Sequence, residues 1–524
     1  MQQIKKYTPF FASALLMCGV LFFIYPHYQY YVDPDDTAYL TISKRYASGD
    51  IQRAINGYWS PWACWLTAGL IRQGFEAILA GVIVNTVGGI GFLYISQSFF
   101  LRFDIKRNFQ WLLNITLALF LCYAVFWQSF DDLWECLFLL SALRLMLVEY
   151  FVKKPVLWVV CGIVGTLAYF AKAYSFPFFI LNTIVCTYFL SKDSKGRWVI
   201  VAFVTTSVMA LCSLPWIYAL HNKYGIWTTS TSGSLNMSWY LVGHPYWKDG
   251  IKVLIPPAYP DSPYYWEDPW FANGATPHFW DSWHLFGLQF LRIGLNIWKF
   301  ITSSFQLSVF FIVVVGYVKW MLFWKHGVVL AKDQKVLMLS LLLFTVGYLP
   351  INYEARYLWY MVALCMVIGT LYIQRMERKG FKEILPYVFA LSFLVWPVWG
   401  MIEMYDEGSQ EHDLAVLLHD KGIKGTFTSD ATPGAETQRM IRLAYFSGNP
   451  FYVKPFPRMG WGSELKRYGI RYYIVSFYDG GEDDMAHRIP VDEQGKPYPC
   501  VLDERSANCQ LLNKCLRIAV FRLY

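Results

Sequence analysis

The chain has 524 residues, of which 56% are hydrophobic, 19% aromatic and only 16% charged, against about 25% charged in a soluble globular domain. That composition excludes an ordinary cytosolic enzyme, a disordered chain, a collagen-like chain and a small disulfide scaffold. Nor does the formal charge of +8 mark a nucleic-acid binder: residues 403–524 carry 17 acidic and 15 basic side chains, a soluble density, while the 402 residues before them are sparsely charged.

The pattern is that of an α-helical polytopic membrane protein over residues 1–402, followed by a small soluble α/β domain over residues 403–524. Crossing about 30 Å of hydrocarbon takes roughly 20 apolar residues. Eleven stretches meet that need, near 8–26, 76–100, 109–127, 132–151, 156–171, 174–190, 198–219, 302–323, 336–350, 357–373 and 384–402. Lys5 and Lys6 precede the first, but no small-residue cleavage site follows it, so it reads as a retained anchor rather than a signal peptide. Gly88-Gly89-Ile90-Gly91 lies inside the second stretch with no strand before it, which points to close helix packing and not to a nucleotide fingerprint.

Alternate short loops carry Arg102, Lys106 and Arg107; Lys153 and Lys154; Lys192, Lys195 and Arg197; Lys325, Lys332 and Lys335; and Arg375, Arg378, Lys379 and Lys382. The positive-inside rule makes that side cytoplasmic, together with the amino terminus. Outside fall the loops at 28–60 and 220–300, the turns at 131–132 and 352–356, and the tail. In the tail, 411–421 and 460–468 fit helices, 426–429, 470–477 and 516–524 fit strands, and 479–499 reads as loop. Cys500, Cys509 and Cys515 lie on the side where a disulfide is permitted, and three being odd leaves their pairing open. The sequence has no C-x-x-C pair to support a structural zinc site.

The densest chemical signal is Asp33-Pro34-Asp35-Asp36-Thr37-Ala38-Tyr39, just past the first span. Three carboxylates within four positions repel one another and raise at least one pKa. The segment 38–49 has Tyr39, Ile42 and Tyr46 at helical spacing, which predicts an amphipathic helix along the interface with the acids at its amino end. Simple capping by Asp33 or Asp35 is the plainer alternative. Other charges recur at the same face: Asp131 and Asp132 at the start of the fourth span, Lys172 at the end of the fifth, and Glu354 and Arg356 in a turn before Tyr357. Charged groups against a bilayer usually face a cavity or a partner. Together these outline a pocket with acids on one side and two cations suited to a phosphate. Aromatic-rich stretches on that face contain His244 and, within Tyr264–Trp270, Glu267 and Asp268.

A long amino-terminal helix followed by an outer loop opening Asp35-Asp36-x-x-Tyr39 resembles the GT-C glycosyltransferases. Within them it is most similar to the dolichyl-phosphate-mannose protein mannosyltransferase-like group and the lipid A aminoarabinose transferases. Asn56-Gly57-Tyr58-Trp59-Ser60-Pro61-Trp62, the Asp132 helix start, the Lys172 segment, Leu214-Pro215-Trp216, Tyr224-Gly225 and Glu354-x-Arg356-Tyr357 extend the likeness over roughly residues 1–402. Where the aminoarabinose transferases place a basic residue before paired prolines, this chain has Trp59-Ser60-Pro61-Trp62.

The resemblance implies transfer of a sugar from a polyprenyl-phosphate carrier to an acceptor hydroxyl on the extracytoplasmic face, with inversion. It gives Asp35 the role of general base, tuned by Asp36, and makes Lys172 and Arg356 the stabilisers of the lipid phosphate. Tyr39, Tyr58, Trp59, Asp132, His244, Glu267, Asp268, Glu354 and Tyr357 join them as substrate-binding candidates. No metal or cofactor is expected to be essential. The partners expected are the lipid-linked donor, a glycan, lipid or protein acceptor, and membrane lipids, in a bacterial inner membrane. The alternatives are a transporter or flippase of lipid-linked glycans, which would favour paired repeats and midplane charges, and a glycan polymerase or ligase using a diphosphate-linked donor.

Overall fold

A computed structural model describes residues 5–126, 131–191, 196–242, 254–269, 277–325, 330–376, 379–432, 434–453, 462–478, 488–492, 494–509 and 515–524. Helices begin where the sequence supplies caps and prolines. After α1 (Thr8–Ile24), helix α2 (Pro34–Ser48) starts with Pro34 behind an Asp33 cap and stops at Gly49, which takes the left-handed conformation. Helices α3 (Pro61–Arg72) and α7 (Pro155–Ala171) also open on proline, whose missing N–H costs nothing at that position. Between them run α4 (Ala77–Arg102), α5 (Arg107–Phe126) and α6 (Asp132–Met146). Then come α8 (Ser175–Leu190), α9 (Arg197–Tyr224), α10 (Ser232–Val242), α11 (Trp283–Leu307), α12 (Phe311–Lys319), α13 (Lys332–Val346), α14 (Trp359–Arg375), α15 (Lys379–Leu391) and α16 (Val395–Glu403).

Burial separates the inside of this bundle from its rim. Every residue of α14 from Trp359 to Thr370 is buried, so α14 is a central helix apolar all round. By contrast α1 turns Leu15, Phe22 and Phe23 outward, and α9 does the same with Val199, Ile200, Phe203 and Leu211. Exposed apolar surface on that scale suits a lipid solvent. The glycines of α4 pack as the sequence suggests: a Cβ on Gly88 would meet Trp134 at 3.1 Å and one on Gly91 would meet Leu137 at 2.6 Å, both on α6. Among the described residues, six helical segments are long and apolar enough to cross a membrane: α1, α4, α5, α9, α14 and the stretch containing α15 and α16. Three more, α7, α8 and residues 311–324, are apolar but shorter. Helices α6 and α13 fall in neither group.

Several expectations need correction. The stretch 302–323 is not one helix: α11 ends at Leu307, Ser308 is extended, and α12 starts at Phe311. The stretch 384–402 is likewise divided into α15 and α16, where Pro397 lacks the N–H that would bond back to residue 393. Among its described residues, the region 220–300 contains α10 and the start of α11. Helix α2 does not keep one face out: ten of its residues are buried, polar ones among them. It is enclosed by α3, α4 and the tail.

The tail contributes α17 (Ser409–Asp420), β1 (Phe427–Ser429), α18 (Ala435–Ser447), β2 (Phe451–Tyr452), α19 (Gly462–Arg467), β3 (Tyr472–Tyr478), β4 (Cys500–Arg505) and β5 (Leu516–Arg522). The sheet order is β2-β1-β3-β5-β4, with β1 parallel to both neighbours and β5 antiparallel to both of its own. Helix α18 and strands β2 and β4 are additions to the sequence reading. Cys509 and Cys515 form a disulfide, and Cys500 is free.

Attachments from α18 and from the segment 254–268 help join the tail to the bundle end that holds α2. Arg442 of α18 donates from Nε to the Val32 carbonyl at 2.7 Å and from Nη2 to Glu407 at 2.6 Å. The segment 254–268 pairs with the residues around β2: Ile255 and Val453 exchange backbone hydrogen bonds of 2.9 and 3.0 Å, and Phe451 N donates to Pro263 O at 2.8 Å. Leu254, Ile255, Tyr264 and Tyr265 are buried in the apolar cores on the two sides of the tail sheet.

Candidate active site

The acidic cluster is resolved by helix capping. Asp33 accepts the Asp36 N–H at 2.8 Å, and Asp36 accepts the Asp33 N–H at 3.3 Å, a reciprocal cap that uses two of the three orphan donors left at a helix start whose first residue is Pro34. Both side chains are buried. Burial, and then the neighbouring Asp35 charge, pushes the Asp33 carboxyl up to about 8. Burial and the Asp33 charge push Asp36 up as well. Asp35 is therefore the acid of the three that is left to face outward, and it lines a cavity of about 780 Å³.

Three distant segments complete that wall. Arg356, in the turn before α14, donates from Nη2 to Asp35 Oδ2 at 2.8 Å and from Nε to Glu354 at 2.9 Å, with Asp132 3.6 Å away. Lys172 caps the end of α7, pairs with Asp132, and sits 4.3 Å from the centre of the Tyr357 ring. The second oxygen of Asp35 accepts the Trp266 indole N–H at 3.0 Å. So the Asp35 carboxylate and two cations share a wall across more than three hundred residues of sequence. Preorganised cations of this kind bind an anion without reorganisation at the moment of reaction.

The loop 56–60 contributes Tyr58, Trp59 and Ser60 to the lining, beside Trp266. Asn56 accepts the N–H groups of Tyr58 and Trp59 at 2.9 and 3.0 Å, an Asx turn. Gly57 is required there: a Cβ would lie 2.8 Å from Thr231 and 2.9 Å from Tyr224. The Tyr58 hydroxyl donates to Asn236 at 3.1 Å, and the Tyr39, Tyr58, Trp59 and Trp266 rings pack edge to face or tilted at 4.7 to 6.0 Å. Away from the charges, the cavity is flanked by Pro177, Phe178, Leu181, Leu343 and Val346 from α8 and α13. One cavity thus joins a polar, charged end to an apolar flank, the form a small-molecule site commonly takes.

Of the predicted residues, Asp35, Tyr39, Tyr58, Trp59, Lys172, Glu354, Arg356 and Tyr357 line this cavity, and Asp132 lies directly behind Lys172 and Arg356. Asp36 does not line it, being turned into the cap. Glu267 and Asp268 are not brought to it either. Arg45 binds Glu267 with a two-pronged ion pair and also meets Asp261 and Asp50. Asp268 accepts from Tyr224 and Tyr259 and pairs with Lys223. Both acids hold the segment 254–268 in place. His244 lies outside the described residues. Among the described residues no three His, Cys, Asp or Glu side chains converge as a metal site.

The cavity also includes Asp131, which the sequence placed among the pocket's charges without a role, and Asn236, Tyr240 and Trp266, which the sequence did not assign to the site. Asn236 and Tyr240 stand four apart on α10, one helical turn, but the Ser- and Thr-rich run 228–238 has the composition of a loop. The ion pair beneath the site makes a direct prediction. Glu267 and Arg45 are 1% and 7% exposed. Glu267→Ala leaves the guanidinium short of its buried partner and is expected to cost about 3 kcal/mol, the low end for a broken buried pair because Asp50 and Asp261 remain. Thermal melting in detergent, compared with Glu267→Gln, measures it.

No protein-family model matches the chain, and no curated protein matches its sequence. Its fold is nevertheless similar to solved structures over nearly its whole length. The crystal structure of ArnT from Cupriavidus metallidurans bound to undecaprenyl phosphate matches 98% of this chain and 97% of its own, at 12% identity and a TM-score of 0.53. The arabinofuranosyltransferase AftD from Mycobacteria matches 98% of this chain at 10% identity and a TM-score of 0.50, but this chain spans only 41% of it. An oligosaccharyltransferase from Archaeoglobus fulgidus matches 90% of this chain at 13% identity and a TM-score of 0.46, with 66% of its own length spanned. ArnT and AftD are GT-C glycosyltransferases. The chain has the GT-C fold, as the order and spacing of its motifs suggested.

Proposed function

We propose that this GT-C-fold chain is an integral-membrane glycosyltransferase. It moves one sugar from a polyprenyl-phosphate carrier to an acceptor hydroxyl on the extracytoplasmic face of a bacterial inner membrane. The observation that carries the reading is the Asp35 carboxylate held 2.8 Å from Arg356 in the same cavity as Lys172. In this mechanism the acceptor oxygen attacks the anomeric carbon from the face opposite the carrier. The bond from that carbon to the phosphate oxygen breaks, and the configuration inverts. The acceptor proton passes to Asp35. The electron pair of the broken bond stays with the polyprenyl phosphate, where Arg356 and Lys172 meet the growing charge. Arg356 has five N–H donors in a fixed fork, enough to hold Asp35 and a phosphate oxygen together. The apolar flank from α8 and α13 supplies a surface for the first prenyl units, and the Tyr58, Trp59 and Tyr357 rings offer planes for a sugar. The mechanism gives no role to a metal.

Undecaprenyl phosphate, which the ArnT structure contains, is the natural probe. The purified protein is expected to bind it in native mass spectrometry. A deletion strain is expected to make a surface glycan, glycolipid or glycoprotein lacking one sugar residue, which identifies both donor sugar and acceptor. Unchanged glycans together with absent lipid-phosphate binding would refute the proposal.

A further inference from the structure

Asp35 has two oxygens and two partners. Arg356 takes one and the Trp266 indole N–H takes the other. A carboxylate at the first turn of a helix rotates freely about its side-chain bonds unless both oxygens are bound. A general base must point its free lone pair at one place, since a misplacement of about 1 Å can cost on the order of 100-fold. The second partner is held with unusual care. Trp266 packs against Tyr58, Trp59 and Trp239 at 5.0 to 6.0 Å, and its carbonyl accepts the Trp59 indole N–H at 2.8 Å. The next carbonyl, that of Glu267, accepts from Asn56 at 2.6 Å.

The segment carrying Trp266 is tied at both ends. Toward α2, Arg45 grips Glu267 and Asp261, and Tyr264 donates its hydroxyl to the Pro34 carbonyl, one residue before Asp35, at 2.5 Å. Toward the tail, Ile255 is bonded to Val453, just past β2, and Pro263 to Phe451 within β2, with Leu254 and Ile255 fully buried in the tail cores. We infer that Trp266 is a positioning residue for Asp35, and that the strap 254–268 transmits its placement from the tail sheet to the catalytic helix. The tail on this account is a mechanical part of the active site. The inference rests on Asp35 being the base.

Membranes from the deletion strain supply donor and acceptor, so purified variants are assayed by the transfer they restore. Trp266→Phe keeps a ring and deletes the N–H. It is expected to lower the turnover rate about 10-fold or more, the effect of one hydrogen bond to a charged group, while undecaprenyl-phosphate affinity and the melting temperature stay at the wild-type values. Added to Asp35→Asn, the same change is expected to cost nothing further, because it acts through the carboxylate. Val453→Pro, which leaves Trp266 intact but removes the N–H donated to Ile255, is expected to reduce turnover with lipid binding retained. Wild-type turnover in both Trp266→Phe and Val453→Pro would overturn the inference, as would a full 10-fold loss from Trp266→Phe on top of Asp35→Asn. Wild-type turnover in Asp35→Asn would instead remove the base assignment.

Discussion

Asp35→Asn is expected to reduce glycosyl transfer by ~10²–10⁴-fold, the range for loss of a positioned general base, while the protein still folds and binds undecaprenyl phosphate. The substitution is nearly isosteric and keeps an oxygen for one of its two donors. It removes the negative charge and the proton acceptor. Folding is spared because the helix start is capped by Asp33 and Asp36 and not by Asp35. The matching change at the neighbour, Asp36→Asn, tests that division of labour. It strikes a buried cap and is expected to lower stability by about 1 kcal/mol with a far smaller effect on turnover. Equal losses of turnover from the two would contradict the geometry.

Arg356→Ala is expected to reduce kcat by ~10²–10³-fold, the scale for removing one preorganised donor to developing charge. The loss falls on kcat more than on donor KM, because the phosphate gains charge as the glycosyl bond breaks and the interaction strengthens in the transition state. Arg356 also faces Asp35, Glu354 and Asp132, so alanine additionally leaves three carboxylates short of a cation, and the melting temperature falls. Arg356→Lys separates the two effects. A lysine keeps the charge but not the planar fork, so it is expected to recover most of the melting temperature and only part of kcat. Steady-state rates with donor titration, beside detergent melts of each variant, read both. A variant that regains full kcat would show that the charge alone matters and the fork does not.

Much of the architecture was legible in the sequence because it depends on short-range physics. Apolar runs marked α1, α4, α5, α9 and α14, the helical spacing of Tyr39, Ile42 and Tyr46 behind the acid cluster marked α2, and the β-rich run 470–477 marked β3. Where the reading went astray, tertiary contacts had overruled local preference. The run from 228 to 238 looked like a loop yet packs as α10 against α11, and the continuous apolar stretches near 302–323 and 384–402 break at Ser308 and near Ser392, whose hydroxyls meet at 2.6 Å.

The candidate site divides along the same line. By itself the sequence determined that an acid cluster follows the first helix, that cations recur beside it, and that their order and spacing match a GT-C chain, since motif order and composition survive without coordinates. Only the tertiary structure decided which acid faces the cavity and which acids are latches. Glu267 and Asp268 look as reactive as Asp35 in a string of letters, but their partners Arg45 and Lys223 are supplied by other segments. The reason is physical: hydropathy and capping act over a few residues, whereas the role of a charge is set by whatever opposite charge, cavity or hydrogen-bond donor the fold carries to within a few ångströms of it.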